Sequence, residues 1–162
     1  MVIWFDSSNQ IGQPIPAMPA SRPLVAAALV CEKILTEKDN VSSAIRIVDT
    51  FYLNESPQLS DEMPVGVNMN LLLMLKSQDP IPSGEVSMKM RTPSAQTKDL
   101  PNKYTLTIKG GEAGSALHIA FVVALKEYGL FWFDILWNGE VLTSVPFRLA
   151  SGQKPAEAPQ AG

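Results

Sequence analysis

The dipeptide Asn138-Gly139, set between two apolar runs, constrains the fold of this chain more than any other feature. A two-residue type I′ turn needs positive φ at both central positions, and Asn-Gly adopts that conformation at the lowest steric cost. The segment from Gly129 to Trp137, rich in aromatic residues, precedes this dipeptide, and the segment from Val141 to Leu149 follows it. The segment 129–149 is therefore predicted to be a hairpin of an antiparallel β-sheet.

Apolar residues alternate with other residues along most of the remaining chain. The alternation runs through ranges 41–53, 65–76, 86–91, 104–109 and 117–125, with turn residues between them. Ranges 24–35 and 116–126 also contain good helix formers, but their apolar residues fall at alternate positions, which favours strands. Together these segments give eight candidate strands at short spacing, the pattern of a β-sandwich or β-barrel.

Composition divides the chain into a domain and two tails. Residues 1–23 are an N-terminal arm too rich in proline for a helix or a central strand, with Pro14, Pro16, Pro19 and Pro23. The arm also holds Trp4 and Phe5, so we expect it to be partly ordered against the domain or against a partner. Residues 24–150 are the predicted domain, and residues 151–162 are expected to be a disordered tail.

The charge and cysteine content exclude several classes of protein. The net charge is −3 and no basic run is present, which argues against binding to nucleic acid. No apolar run approaches the length that spans a bilayer, so no membrane association is expected. The single cysteine, Cys31, permits no intramolecular disulfide, and together these features predict a cytoplasmic protein.

Large apolar side chains fall on both faces of the predicted hairpin, although only one face can enter the core of a sandwich. A simple two-residue turn would place Leu136 opposite Val141, whereas a bulge at Gly139 would shift the register. The outer face must be covered by the arm, by a symmetry mate or by a partner, because contiguous exposed apolar patches are rare on monomers. The candidate interface residues are Trp132, Leu136 and Trp137, with Trp4 and Phe5 of the arm.

Catalytic and metal-binding constellations are not visible in the sequence. His118 is the only histidine and Cys31 lies in an apolar run, so each is expected to be a structural residue. The carboxylates in the predicted loops lack the sequence spacing that would place several of their oxygen atoms around one cation. No cofactor is predicted. A hydrolase or metal enzyme would need His118 or Cys31 to converge with carboxylates in a cleft.

Two blocks of the sequence resemble known proteins. Residues 25–34 with residues 41–49 resemble the opening of a bacterial family of proteins of unknown function, in which a Cys-Glu pair precedes an acidic turn and a strand similar to Ser-x-x-Arg-Ile-x-Asp. Residues 128–149 resemble the last strands of immunoglobulin-like sandwiches. The resemblance implies a single-domain, immunoglobulin-like antiparallel β-sandwich of about seven to eight strands, and it implies no activity.

From these observations we expect a non-catalytic protein-interaction or assembly module that uses the outer face of the 129–149 hairpin. The partner would be another protein or a second copy of the chain, with large aromatic residues as its anchors. The alternative is a small-molecule-binding sandwich with a pocket between the sheets or at the loop end, for which the polar strand positions Asn68 and Asn70 are the indication.

Overall fold

A computed structural model describes residues 22–39, 41–54, 57–111 and 113–152, and every regular element in these ranges is a β-strand. The nine strands are β1 (Leu24–Thr36), β2 (Ser42–Ile47), β3 (Thr50–Leu53), β4 (Val65–Lys76), β5 (Ile81–Arg91), β6 (Thr97–Ile108), β7 (Ser115–Leu125), β8 (Gly129–Trp137) and β9 (Glu140–Ser151). None of the described residues forms a helix long and apolar enough to cross a membrane.

The strands form two sheets packed face to face. The first sheet has the order β2-β1-β4-β7, and the second has the order β3-β9-β8-β5-β6. All neighbours are antiparallel except β3 and β9, which run parallel. The chain crosses between the sheets after β2, β3, β4, β6 and β7. By their order in the sheets, β1, β4 and β7 correspond to strands A, B and E of an immunoglobulin domain, and β5, β8 and β9 to strands C, F and G. The predicted all-β, immunoglobulin-like sandwich is thus confirmed.

A stack of phenylalanine rings forms the centre of the core between the sheets. Phe147 stacks on Phe133 with ring centroids 4.7 Å apart and on Phe131 at 5.1 Å. Phe121 of the first sheet meets the ring of Phe133 edge-on at 5.3 Å. Offset and edge-to-face aromatic contacts each add about 0.5–1.5 kcal/mol beyond the burial of their area, so this stack joins the two sheets at their centre.

The hairpin turn has the predicted geometry. Asn138 and Gly139 have φ angles of 49° and 86°, as a type I′ turn requires. Leu136 lies opposite Val141, and the register then shifts by one residue at Leu142. The bulge therefore lies within β9 and not at the glycine.

This bulge decides which residues of β9 enter the core. Below it, Phe133 lies opposite Val145 and Phe131 opposite Phe147. All four side chains are less than a tenth exposed. A simple two-residue turn without a bulge would place Trp132 opposite Val145. The alternative considered from the sequence, a shift of register by a bulge, thus holds for this half of the hairpin, although the bulge is at Leu142 and not at Gly139.

The segment predicted as one strand over residues 41–53 is two strands in two different sheets. β2 belongs to the first sheet and β3 to the second. Arg46 has a φ of 52°, which breaks the extended conformation near the end of β2. Backbone hydrogen bonds from the Val48 amide to the Val30 carbonyl and from the Arg148 amide to the Asp49 carbonyl then fix the crossover. No glycine or proline marks this switch in the sequence.

The outer part of the β1–β2 hairpin folds over the outer face of the first sheet. The side-chain amide of Asn70 in β4 donates to the Glu32 carbonyl over 2.6 Å. At the hairpin tip, the Ser42 hydroxyl lies 2.8 Å from the His118 Nε2 of β7. Beneath the hairpin, Leu72 is only 4% exposed although it points away from the core. The first sheet therefore has one covered outer face.

Candidate functional site

Trp132 lies on the outer face of the second sheet, in contact with a partly buried charge pair. Arg91 donates from Nε and Nη2 to the two carboxylate oxygens of Asp134, over 2.6 and 2.8 Å. Ser144 donates to the same carboxylate over 2.5 Å. The Arg91 guanidinium also lies 5.3 Å from the centre of the Trp132 ring, a cation–π contact. These four side chains hold one another in a fixed arrangement.

The hydrogen bonds from Arg91 lower the pKa of Asp134 below its ordinary value. Burial opposes this effect, and the bond from Ser144 adds to it. Asp134 is only 8% exposed, and a buried carboxylate needs such partners to stay ionised. The bidentate pair is thus a structural clamp between β5 and β8.

Trp137 was predicted to be an interface residue, and the structure corrects this. Its side chain is 4% exposed and packs in the core cluster. The indole fills the space beside Gly84 of β5, where a Cβ atom would lie 1.8 Å from a ring carbon. Trp137 is therefore unavailable to a partner.

The remaining predicted interface residues have different positions. Leu136 points outward but is only 4% exposed, while Trp132 is half-buried. Trp4 and Phe5 lie outside the described residues. Of the three predicted hairpin residues, only Trp132 thus presents an accessible aromatic surface.

The four edge strands of the two sheets differ in how they are protected from pairing with another chain. β2 and β3 are only six and four residues long, and β2 is also distorted at Arg46. β6 carries Lys98, Asp99, Lys103 and a proline at position 101. Short length, charges, prolines and distortions are the usual devices that block edge-to-edge association.

β7 has none of these devices. It is eleven residues long and contains no charged residue and no proline. Its pairing with β4 is regular from Ser115 to Leu125, without a bulge. No strand of the described ranges pairs with its other edge, and Val122 at the middle of that edge is 66% exposed. A long, regular, uncharged edge of this kind is a template for strand addition.

His118 and Cys31, the residues on which an enzyme would depend, do not meet in the structure. His118 contacts Ser42 on the outer face of the first sheet. Cys31 is fully buried, and burial raises the pKa of its thiol. Among the described residues, no three side chains of His, Cys, Asp or Glu are placed to hold a metal ion.

A cleft of about 520 Å³ opens at one end of the sandwich, between the ends of β5, β6, β7 and β8. Its apolar floor consists of Met90, Leu125 and Phe131. Polar side chains form the rim: Ser60, Asp61, Thr92, Ser94, Gln96, Thr97, Lys98, Lys126 and Glu127. The volume is in the range of small-molecule sites. Asn68 and Asn70, the predicted indicators of a pocket, lie on the outer face of β4, where they line a smaller depression of about 240 Å³ with Ala120 and Val122.

The turn between β5 and β6 forms one wall of the cleft. The Ser94 hydroxyl donates to the Glu127 carboxylate over 2.7 Å. Pro93 packs on Gly129, where a Cβ atom would lie 2.8 Å from the proline ring. Gly129 also has a φ of 135°, which favours glycine. The wall is thus fixed by the hydrogen bonds of Ser94 to Glu127 and by the close approach of the Pro93 ring to the Gly129 backbone.

The segment before β4 forms the opposite wall and is fixed to the same β7–β8 turn. Lys126 forms an ion pair with Asp61. The hydrogen bond from Lys126 lowers the pKa of the Asp61 carboxyl. The hydroxyl of Tyr128 donates to the Pro57 carbonyl over 2.8 Å. The cleft is therefore built from three segments that meet at residues 126–129, which no local sequence pattern could indicate.

Comparisons with known proteins give no assignment of function. No protein-family model matches the sequence, and no curated protein shows significant similarity to it. Among solved structures, the chain is similar to the Pseudomonas fluorescens alkylpurine DNA glycosylase AlkC bound to DNA containing an abasic site analog, with 13% sequence identity and a TM-score of 0.41 over 80% of this chain. The chain spans 31% of the length of that glycosylase.

Proposed function

We propose that this chain is a non-catalytic assembly module of the cytoplasm that self-associates by pairing the free edge of β7 with the same edge of a second copy. The observation that supports this most is the contrast among the four edges, because β7 alone lacks a protective device. The first sheets of two copies would join into one continuous sheet around a two-fold axis. Such an interface is self-complementary, as most homodimer interfaces are.

The sequence of β7 suits antiparallel pairing with itself. A two-fold axis at Ala120 would place Ile119 opposite Phe121 on the inner face and His118 opposite Val122 on the outer face. This pairing places no like charges directly opposite each other, an arrangement that would destabilise a strand pair. Phe121 is only partly buried in a single copy, so pairing would also remove apolar surface from water.

The test is the solution mass of the full-length protein by light scattering, with a matched pair of lysine substitutions. Val122→Lys places a charge on the free edge of β7, and Ile47→Lys places the same charge on β2, the opposite edge of the same sheet. The two side chains are 66% and 67% exposed, so neither substitution disturbs the core. We expect the wild type and Ile47→Lys to be dimers and Val122→Lys to be a folded monomer. A monomeric wild type, or a dimer that persists in Val122→Lys, contradicts the proposal.

Small-molecule binding is the second candidate function, and the loop-end cleft supports it. A suitable probe is 1-anilinonaphthalene-8-sulfonate, whose rings match the apolar floor and whose sulfonate could meet Lys98 at the rim. We expect saturable binding that Lys98→Glu abolishes. Lys109→Glu, which makes the same charge change after the end of β6 and outside the cleft, should leave the binding intact. Equal binding by both variants would exclude the cleft as the site.

A further inference from the structure

We propose that the loop-end cleft of one copy is completed by a depression at the other end of β7 in a second copy, and that this composite site binds an elongated amphipathic anion. Such a site rests on the proposed self-association through β7, and it gives the dimer a binding function that a single copy lacks. Three features support it: the two depressions at the ends of one strand, the register of the proposed pairing, and two lysines.

The two depressions lie at opposite ends of β7. The loop-end cleft contacts the strand and the residue after it at positions 124–126. A second depression, of about 310 Å³, contacts the other end at positions 114–116. The rest of this second depression comes from the end of β4 and the start of β2, with Met74, Leu75, Lys76, Val41 and Ser42.

The proposed register brings these two ends together. A two-fold axis at Ala120 pairs residues that are equally far from position 120, so Leu125 lies opposite Ser115 and Lys126 opposite Gly114. Paired strands lie about 4.8 Å apart. The cleft of each copy is then adjacent to the second depression of the other, and the symmetry gives two identical composite sites in each dimer.

The cleft opens toward the joint between the copies. Its lining includes residues 96–98 at the start of β6 and residues 124–126 at the end of β7, and these strands are edges of their sheets. The Ser115 hydroxyl donates to the Thr107 carbonyl over 2.7 Å, which places both edges on the same side of the sandwich. None of the described strands closes the cleft on this side, where a second copy would supply a wall.

Two lysines give the composite site its preference for an anion. Lys98 lies at the rim of the cleft and Lys76 in the second depression. Neither belongs to any ion pair among the described residues. The stem of Lys76 lies against Gly114, because a Cβ atom there would be 3.3 Å from the Lys76 Cγ. Since Gly114 is opposite Lys126 in the dimer, the ammonium group of Lys76 is carried to the cleft of the other copy.

The carboxylates at the rim of the cleft already have partners. Asp61 forms an ion pair with Lys126, and Glu127 accepts a hydrogen bond from the Ser94 hydroxyl over 2.7 Å. The two lysines without ion pairs therefore remain to bind a negative group, and they come from different copies.

The apolar surfaces determine the shape of the ligand. Met90, Leu125 and Phe131 form the floor of the cleft. The second depression adds Met74 and Val41, which are both exposed in a single copy. These surfaces lie on either side of the joint, so an anion with an extended apolar body would contact both. A compact ion such as phosphate would contact neither.

Mixing two binding-deficient variants of the full-length protein tests the composite site, with 1-anilinonaphthalene-8-sulfonate as the probe in a fluorescence titration. Lys98→Glu alters the cleft and Lys76→Glu alters the second depression, so every site in either variant dimer is defective. We expect each variant to bind the probe about tenfold or more weakly than the wild type. In a one-to-one mixture, each mixed dimer has one site with both lysines, so about a quarter of all sites should regain the wild-type affinity.

Two further variants and light scattering complete the test. The Val122→Lys monomer should bind the probe as weakly as Lys76→Glu, because it lacks the second copy. Lys33→Glu, the same charge change outside both depressions, should bind like the wild type. A mixture of dimeric variants that regains no sites, or a Val122→Lys monomer that binds like the wild-type dimer, overturns the composite site and leaves the self-association standing. A monomeric wild type overturns both.

Discussion

Substitution of Gly84 in β5 tests how tightly the core is packed at this position. The indole of Trp137 occupies the space beside its Cα, and a Cβ atom there would lie 1.8 Å from a ring carbon. Carbon atoms pack at about 3.5–4.0 Å, so Gly84→Ala requires the ring to move by roughly 2 Å. Trp137 is 4% exposed and part of the core cluster, so the ring has no free space to enter.

We expect Gly84→Ala to lower the free energy of unfolding by about 3 kcal/mol, the upper part of the range for overpacked cores. For a domain of this size, that loss lowers the melting temperature by roughly 10 °C. Urea unfolding followed by circular dichroism measures it. Gly66→Ala is the control, because the nearest atom to its new Cβ is 3.6 Å away, an ordinary contact, and its effect should stay within about 1 kcal/mol.

A second substitution identifies the cause. Trp137→Leu makes room beside Gly84, and the Nε1–H of Trp137 has no acceptor among the described residues, so its removal sacrifices no hydrogen bond there. The double variant should be more stable than the sum of the two single losses predicts, by at least about 1 kcal/mol. Purely additive losses, or a Gly84→Ala protein as stable as the wild type, would refute the steric explanation.

Three further substitutions test the clamp, the cleft wall and the folded-over hairpin. Asp134→Asn leaves Arg91 without its charged partner and should cost about 1–2 kcal/mol, since Arg91 is partly solvated. The pKa of Asp134 is lowered in the folded state. Its contribution to the free energy of unfolding is therefore present above the unfolded pKa near 3.9 and is lost as the pH falls through the folded pKa. Unfolding of the wild type and of Asp134→Asn between pH 2 and 5 measures this difference. Gly129→Ala puts a side chain at a φ of 135° and should cost about 1–3 kcal/mol in urea unfolding. Ser42→Ala removes the bond to His118 and should accelerate amide exchange in β2 while global stability changes by about 1 kcal/mol or less.

The sequence predicted the fold class because its main signals are local. The Asn138-Gly139 turn and the alternating apolar residues are set by neighbouring residues, and both were found as predicted. The switch of residues 41–53 between sheets was missed, since it depends on a positive φ at Arg46 and on hydrogen bonds to distant strands. The bulge at Leu142 was missed for a similar reason, because it has no glycine signal.

The candidate sites were harder to predict because they depend on contacts between distant residues. Trp137 was assigned to the surface because the space that receives it is beside Gly84, in a different strand. The cleft forms where Asp61, Ser94 and Glu127 meet, although they come from three separate turns. The unprotected edge of β7 could have been noticed from the absence of charge in residues 115–125, but only the sheet order shows that this strand lies at an edge.

The parallel pairing of β3 with β9 has a consequence for the synthesis of the protein on the ribosome. Thr50 pairs with Arg148, so β3 emerges early and waits for a partner that is nearly the last part of the domain to be made. Contacts so distant in sequence are slow to form, and unpaired strands in nascent chains tend to aggregate. The brevity of β3, four residues, limits the surface that is exposed during this delay.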